Sequence, residues 1–381
     1  MIDFALTDEQ QQMLRAVSAF LDRRLPPEEV RRRDREHEPP YDLLPDMAAL
    51  GLFRLAVPVE YGGLAQPWTS VALIQELLGR RAYMAASIFN RVVGFGVQSL
   101  LAFGGEEQRR KILPALMDGR ALLALALTEA EAGSDAAAIR TRAERLDGGW
   151  RLNGRKAWIS DARGASHLIV VARTKPEGGP DGAITIFLVP RESPGITMTA
   201  LPKIGNNAMP SWDIGFQDVL LSDDAVMGEV GRGFRNVLST LHYSRASMAA
   251  TVTGCAQAVV DLALAHAKQR VQFGRPIGAF QTIRHRLADM QMRVDQARLT
   301  TYHLSWLISQ GQSARREAAQ AKVIATEALQ FVADHGMQIM ASAGYSAESD
   351  MQRYWRDARL YSFGEGGNEI QRDLIARELG L

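Results

Sequence analysis

Apolar positions change their period twice along this chain. Between residues 7 and about 120 they recur every three or four places, over 7–24, 69–80, 83–103 and 106–118. That spacing predicts helices with one buried face. Pro26-Pro27, Pro39-Pro40, Tyr61-Gly62-Gly63 and Gly104-Gly105 break the pattern between them. From 121 to about 222 the runs shorten. Residues 121–127, 166–173, 183–189 and 212–219 read as strands, with turn signals at Asp147-Gly148-Gly149 and Asn153-Gly154. Short strands with no helix among them suggest a small barrel or sandwich. The helical period returns near 231. A proline-free stretch, 234–270, predicts one long helix, followed by a loop at 271–280 and helices near 281–310, 314–341, 350–362 and 368–379. Long helices with short connections suggest an antiparallel bundle.

The expected layout is therefore mainly α with a central β domain: 1–120 helical, 121–225 β, 226–381 helical bundle. A chain of 381 residues suits two or three domains. Net charge is +1, so nothing in the balance points to nucleic acid. The run Arg31-Arg32-Arg33 is interleaved with Glu28, Glu29, Asp34 and Glu36 and reads as a solvated face. A single cysteine, Cys255, excludes a disulfide framework and a multi-cysteine metal site. The seven histidines are scattered, which argues against a metal centre. No apolar run reaches the length expected of a membrane span. Thr7-Asp8-Glu9-Gln10 reads as a helix cap, not a targeting peptide, so the cytoplasm is the expected location. P-loop, GxGxxG, HExxH and GxSxG signatures are missing.

Four segments carry candidate chemistry. In 353–380, a helix with Tyr354, Ala358 and Tyr361 on one face meets Gly364, Gly366 and Gly367, with Glu365 between the glycines. Such a loop can bring a carboxylate close to a ligand. The same residues also fit a plain turn with a solvated glutamate. Asn368, with Gln371 three residues on, has the capping-box pattern. In 125–135, a strand runs into a loop of small and hydroxyl residues, Thr128 and Ser134 among them, able to bind a flat or phosphorylated ligand. Trp158 and Ser160 fall on one side of a strand and can stack on a ring and bond its edge. The basic loop 270–281 carries Phe273 and Phe280 and can hold a pyrophosphate. Each segment alone also fits a turn, a core residue or a solvated loop.

Together, TEAEAGSD, WIS, QRVQFGRPIGAFQ and GEGGNEIQR, in this order and spacing, resemble the acyl-CoA dehydrogenase family, and the likeness covers essentially the whole chain. It implies a helical N-terminal domain, a β-barrel and a C-terminal four-helix bundle. It implies FAD between barrel and bundle, reaching a neighbouring subunit in a dimer of dimers. Leu125, Leu127, Thr128 and Ser134 match the flavin-lining loop, and Trp158, Ile159 and Ser160 the segment against the flavin face. Arg270, Phe273, Phe280 and Gln281 match positions that hold the ADP half across the dimer interface, and Gln338 to Ser342 match another ADP-binding segment. Gly367, Asn368 and Glu369 match further FAD contacts. Ser134, His242, Arg245 and Gly366 fall on the substrate side, and Glu365 matches the catalytic base. The implied reaction is dehydrogenation of an acyl-CoA to a 2,3-enoyl-CoA, with electrons passed to an electron-transfer flavoprotein. Enoyl-CoA reduction, a carrier-protein thioester, and a silent acyl-CoA-binding scaffold are the alternatives.

Three places depart from the family pattern. Met340-Ala341-Ser342 stands where paired glycines are usual. His242 replaces an acidic residue or Asn three places before Arg245. Gly205-Asn206-Asn207-Ala208-Met209 replaces a Gly-x-Arg-x-Ser motif. Some relatives carry the base on the long helix just before the matching arginine; that position is Ser244 here, leaving Glu365 as the one base.

Overall fold

The structure is a computed structural model describing residues 5–175 and 183–381. Its first part holds α1 (Asp8–Arg24), α2 (Pro27–Glu36), α3 (Leu44–Ala49), α4 (Trp68–Arg81), α5 (Tyr83–Asn90), a π-helical turn (Arg91–Val97), α6 (Gln98–Phe103) and α7 (Glu106–Met117). α1 starts at the expected cap: the Thr7 hydroxyl accepts from Gln10 N at 3.2 Å, and the Gln10 side chain accepts from Thr7 N at 3.1 Å. Two helices, α2 and α3, escaped the apolar pattern. α2 is almost entirely charged. It buries Val30, Arg33 and Asp34 because its charges find distant partners, Arg33 on Asp42 and Asp34 on Arg356.

The middle part is one sheet. β1 (Leu123–Ala126), β2 (Arg142–Leu146), β3 (Gly149–Ser160), β4 (His167–Arg173), β5 (Ile184–Pro190), β6 (Ile196–Leu201), β7 (Ser211–Ser222) and β8 (Val226–Met227) run in the order β6-β7-β3-β2-β4-β5-β8, with β1 parallel to β4. The sheet wraps a core of its own that includes Trp150, Leu152, Ile159, Val170, Phe187 and Phe216. The turn at Asp147-Gly148 joins β2 to β3 as the sequence suggests. Asn153-Gly154 does not turn the chain. β3 runs on through it, and the register against β7 slips there and again between Lys156 and Ile159. These slips are bulges, which glycine in a strand often marks.

The third part has α8 (Gly233–Gln269), a two-residue-per-strand hairpin β9 (Val271–Gln272) and β10 (Arg275–Pro276), then α9 (Gln281–Ser309), α10 (Arg315–Met340), α11 (Ser342–Tyr345), α12 (Asp350–Ala358) and α13 (Asn368–Glu378). α8, α9, α10 and α13 pack as the bundle. Nearly every residue of α8 from Ser244 to Ala256 is buried, so it is the shared axis of both helical parts. Burial accordingly merges the first and third parts into one core, running from Val17 to Tyr361.

One expectation fails on composition. The stretch Tyr83–Phe103 and α8 are long and apolar enough to cross a membrane, yet 83% and 78% of their most apolar windows are buried inside the protein. Their apolarity goes into the core.

Candidate active site

α12 ends at Ala358, a short 3-10 turn (Leu360–Ser362) follows, and the glycine loop begins. Glu365 sits in it at φ +54 and Gly366 at φ +90. A left-handed backbone is unfavourable for a residue with a side chain and is held only where the surroundings impose it. Here α8 and α10 impose it. Ser244, 0% exposed on α8, donates its hydroxyl to the Glu365 carboxylate. Gln371 reaches back from α13 and donates to Gly366 O at 3.2 Å. Lys322, fully buried on α10, donates to Ser362 O at 3.2 Å and Asn368 Oδ1 at 2.8 Å, pinning both ends of the loop.

This corrects the capping assignment. The N-cap of α13 is Gly367, with no side-chain cap; Asn368 lies inside the helix. Its amide is consumed by Lys322 and Thr326 and is buried, so the predicted FAD contact at Asn368 cannot come from its side chain. Glu369 is exposed.

Burial raises the Glu365 carboxyl above the ordinary glutamate range; Arg91, the Ser244 hydroxyl, Arg245 and Lys322 pull the other way. Burial likewise pushes Lys322 down to about 8, with Glu365 opposing. Arg245 is 9% exposed and its Nε has no partner among the described residues. A buried, unpaired guanidinium N–H is costly unless a ligand satisfies it. A Cβ placed on Gly366 would lie 3.9 Å from Arg245 Nη2, so the loop passes close to that arginine. The half-buried His242 ring lies 4.0 Å from that of Tyr243, tilted by 36°, one turn before Arg245 on α8. Burial lowers its pKa.

The second group of predicted residues faces the bulge of β3. Trp158, at φ +60, is 55% exposed, an unusual setting for a tryptophan unless a ring covers it. Ser160 is half-buried on the same strand. Ile159 points the other way into the sheet core at 2% exposure, so only its backbone can meet a cofactor. The loop after β1 is tied to this bulge by Ala157 N donating to Thr128 O at 2.9 Å. Leu125, Leu127 and Thr128 are half-buried and Ser134 is exposed. A clamp absent from the sequence reading fixes that loop. Glu129 accepts from Arg140 N, Thr141 N and the buried Lys156 Nζ at 2.7–2.9 Å. Burial works to raise the Glu129 pKa, but Lys156 and the N–H donors outweigh it and leave it low.

The third group is open to solvent. Arg270, Phe273 and Gln281 are exposed, Phe273 at 93% and φ +50, while Phe280 is half-buried. The two phenylalanine rings meet edge-on at 6.0 Å, and Arg275 lies 4.2 Å over Phe280. Gln338 and Ser342 are also exposed. Between them Ala341 takes φ +50, ψ −132, a conformation that suits glycine. The backbone has kept a glycine-like bend although the usual glycines are missing. Among the described residues, no hydrogen bond or ring contact joins Arg270 or Phe273 to Gln338 or Ser342.

The residues fit a flavin dinucleotide: an exposed indole beside a hydroxyl-bearing loop, and exposed arginine and aromatic side chains for the nucleotide end. Of the nine non-glycine residues with positive φ among the described residues, four (Trp158, Phe273, Ala341 and Glu365) lie in these segments. Such outliers cluster at functional sites.

Comparison with known proteins agrees in every part of the chain. The family models for the acyl-CoA dehydrogenase N-terminal, middle and C-terminal domains match residues 7–120, 124–219 and 231–380. A probable acyl-CoA dehydrogenase of Bacillus subtilis, YngJ, is 36% identical over 379 residues, covering 99% of this chain and 100% of the relative. The butyryl-CoA dehydrogenase structure from Megasphaera elsdenii superimposes with TM-score 0.96 at 33% identity, covering 100% of both chains. A structure of PigA with FAD and proline superimposes with TM-score 0.94 at 28% identity, again covering 100% of both. The chain belongs to the acyl-CoA dehydrogenase family of oxidoreductases.

Proposed function

We propose that this protein dehydrogenates an acyl-CoA thioester to its 2,3-enoyl-CoA, with FAD as its cofactor and an electron-transfer flavoprotein as acceptor. One observation carries the reading: a glutamate held at φ +54 inside a glycine loop, bonded by Ser244 and flanked by Arg245. Removing a proton α to a thioester needs a base at the carbon and donors at the carbonyl oxygen. Glu365 is the base. Gly366 and its neighbours offer backbone N–H groups, and Arg245 binds the CoA side of the ester. The raised pKa of Glu365 suits proton abstraction near neutrality. FAD, when bound, supplies the acceptor for the β-hydride. The loop after β1 and Trp158–Ser160 would hold its ring. Arg270, Phe273, Phe280, Gln281, Gln338 and Ser342 would hold its ADP end in a homotetramer. The buried free Cys255 suits the reducing cytoplasm, the location we propose.

The purified protein should be yellow, with the absorbance of oxidised flavin. Acyl-CoA thioesters should bleach it without oxygen, and an electron-transfer flavoprotein should restore the colour. A colourless protein that takes up no FAD, or one bleached by no thioester, would sink this reading. Bleaching by reduced carriers with enoyl-CoA turnover, and none by saturated thioesters, would point to reduction instead.

A further inference from the structure

A buried ammonium needs a compensating charge, because the protein interior solvates it poorly. Two lysines are fully buried among the described residues, Lys156 and Lys322. Lys156 meets the need directly, pairing with Glu129 at 2.8 Å. Lys322, on α10, has no carboxylate in ion-pair contact among the described residues. Its N–H groups go to two neutral oxygens, Ser362 O at 3.2 Å and Asn368 Oδ1 at 2.8 Å. Ser362 stands three residues before Glu365, and Asn368 three after it. The ammonium thus bridges the two ends of the glycine loop, with the base between them.

Several elements bring charge towards Lys322. Glu365, in the loop, favours the ammonium most. Glu369 on α13 and Glu327 on α10 add to it, and Arg245 on α8 opposes it. Glu327 is shared with Arg372 of α13. α12 ends on Arg359, which donates to the Ser362 hydroxyl. α9 lays its cation Arg293 over Phe331, more than two turns further along α10. The influence is mutual, because Lys322 favours the ionised form of Glu365, as do Arg91 and Arg245. Arg91 is already shared with Asp161, and both arginines keep their charge at any working pH. Of the three cations, only Lys322 can lose its proton.

On the reading that Glu365 is the base of a thioester dehydrogenase, we propose that Lys322 is its positioning residue and counter-charge, so that the base works only while this lysine is protonated. The ammonium holds both ends of the loop, and its charge offsets part of the cost of a buried carboxylate. A neutral amine offers fewer donors and no charge. Glu365 would then keep its own proton more tightly and be ionised less often. Burial lowers Lys322 to about 8, with Glu365 opposing, which places the alkaline limb of kcat/KM there. Stability moves the other way. The unfolded lysine titrates near ~10.4. Between these two values the unfolded chain binds the extra proton, so the folded state gains from this group as pH rises. Alkaline unfolding of the whole protein would instead lower activity and stability together.

The test follows anaerobic flavin bleaching by one thioester, and urea unfolding, from about pH 6 to about pH 10. The wild-type holoenzyme is compared with Lys322→Met, which keeps an apolar stem, and Lys322→Arg, which keeps the charge. Wild-type kcat/KM should fall above about pH 8. Lys322→Met should lose that limb, move the acid limb to higher pH and run about tenfold slower at neutrality. Lys322→Arg should lose the alkaline limb and leave the acid limb in place. The urea midpoint of the wild type, measured against that of Lys322→Met, should rise between about pH 7 and about pH 10. An alkaline limb missing from the wild type would overturn the proposal. So would one that persists in both variants, which would pass to Lys156 or Lys203, also lowered by burial to about 8. An acid limb unmoved in Lys322→Met would refute the counter-charge, and a flat urea difference would show that Lys322 does not titrate here. Bleaching by no thioester would remove the dehydrogenase reading, and the proposal with it, even where the urea difference rises.

Discussion

The base side and the nucleotide side of this site are built in opposite ways. Around Glu365, one chain supplies everything. Ser244 and Arg245 come from α8, Lys322 from α10 and Gln371 from α13, and Ser244 and Lys322 are fully buried. At the nucleotide side, Arg270, Phe273 and Gln281 face solvent, with Phe273 at 93% and Val271 at 52% exposure. Among the described residues, the strained backbone at Phe273 carries a ring that meets only the edge of Phe280. The difference teaches that one chain completes the base side by itself, whereas the nucleotide side leaves its basic and aromatic side chains uncovered. A second copy is the occupant our functional reading supplies.

The largest way to break that contrast is to remove the base. Glu365→Gln should keep the flavin spectrum and still bind thioester, yet bleach roughly 10²–10⁴-fold more slowly, the usual worth of a positioned general base. Substantial flavin reduction by this variant refutes the assignment. Glu365→Gly with Ser244→Glu should recover part of the rate, because the Ser244 hydroxyl already reaches the Glu365 carboxylate. The next largest effect lies on the other side. Arg270→Ala should weaken FAD retention about tenfold to a hundredfold, the loss of one charge-assisted hydrogen bond, and should weaken the assembly with it. Full flavin occupancy and an unchanged elution volume on gel filtration would show that the exposed side needs no partner. Arg245→Ala should raise KM for the thioester about tenfold while lowering kcat less, since it removes ground-state binding. A fall in kcat alone, with KM unmoved, assigns it a different role.

Much of this was legible in the sequence, and the omissions share a cause. The long helices announced themselves by apolar period, and Glu365 by the glycines around it. Arg245 and Ser244 were legible through family likeness, and the structure then put Ser244 against the carboxylate. What escaped depends on partners far away in sequence. α2 is a charged helix that ion pairs to Asp42 and Arg356 hold in place. β6 is a half-exposed edge strand that pairs, among the described residues, with β7 alone. Lys322 and Lys156 look like solvated helix and strand lysines until Asn368 and Glu129 are found beside them. Arg91 follows a run of buried positions and gives no local sign that it lines a cavity. Asn368 shows the reverse error: a local capping pattern was read, and a buried lysine claimed the side chain instead.

The smallest predicted effect is the finest probe of the base side. The Ser244 hydroxyl donates to the Glu365 carboxylate and so favours its ionised form. Burial already raises the Glu365 pKa above its unfolded value, and Ser244→Ala should raise it further. The base works only when ionised, so the acid limb of kcat/KM should move to higher pH in this variant. Well above that limb, the rate should change only a few-fold. Stability follows with its own sign. A carboxyl whose folded pKa is raised favours the folded state below its unfolded pKa, near ~4.3, and that advantage disappears as pH rises through the folded pKa. Ser244→Ala should enlarge this loss, lowering the urea midpoint more at neutral pH than below about pH 4. Flavin bleaching followed across pH, with urea unfolding at both ends, reads the two effects separately. An acid limb that stays put or moves to lower pH would mean that the hydroxyl does not hold the ionised base. The close fit around Glu365 would then be packing without electrostatic purpose.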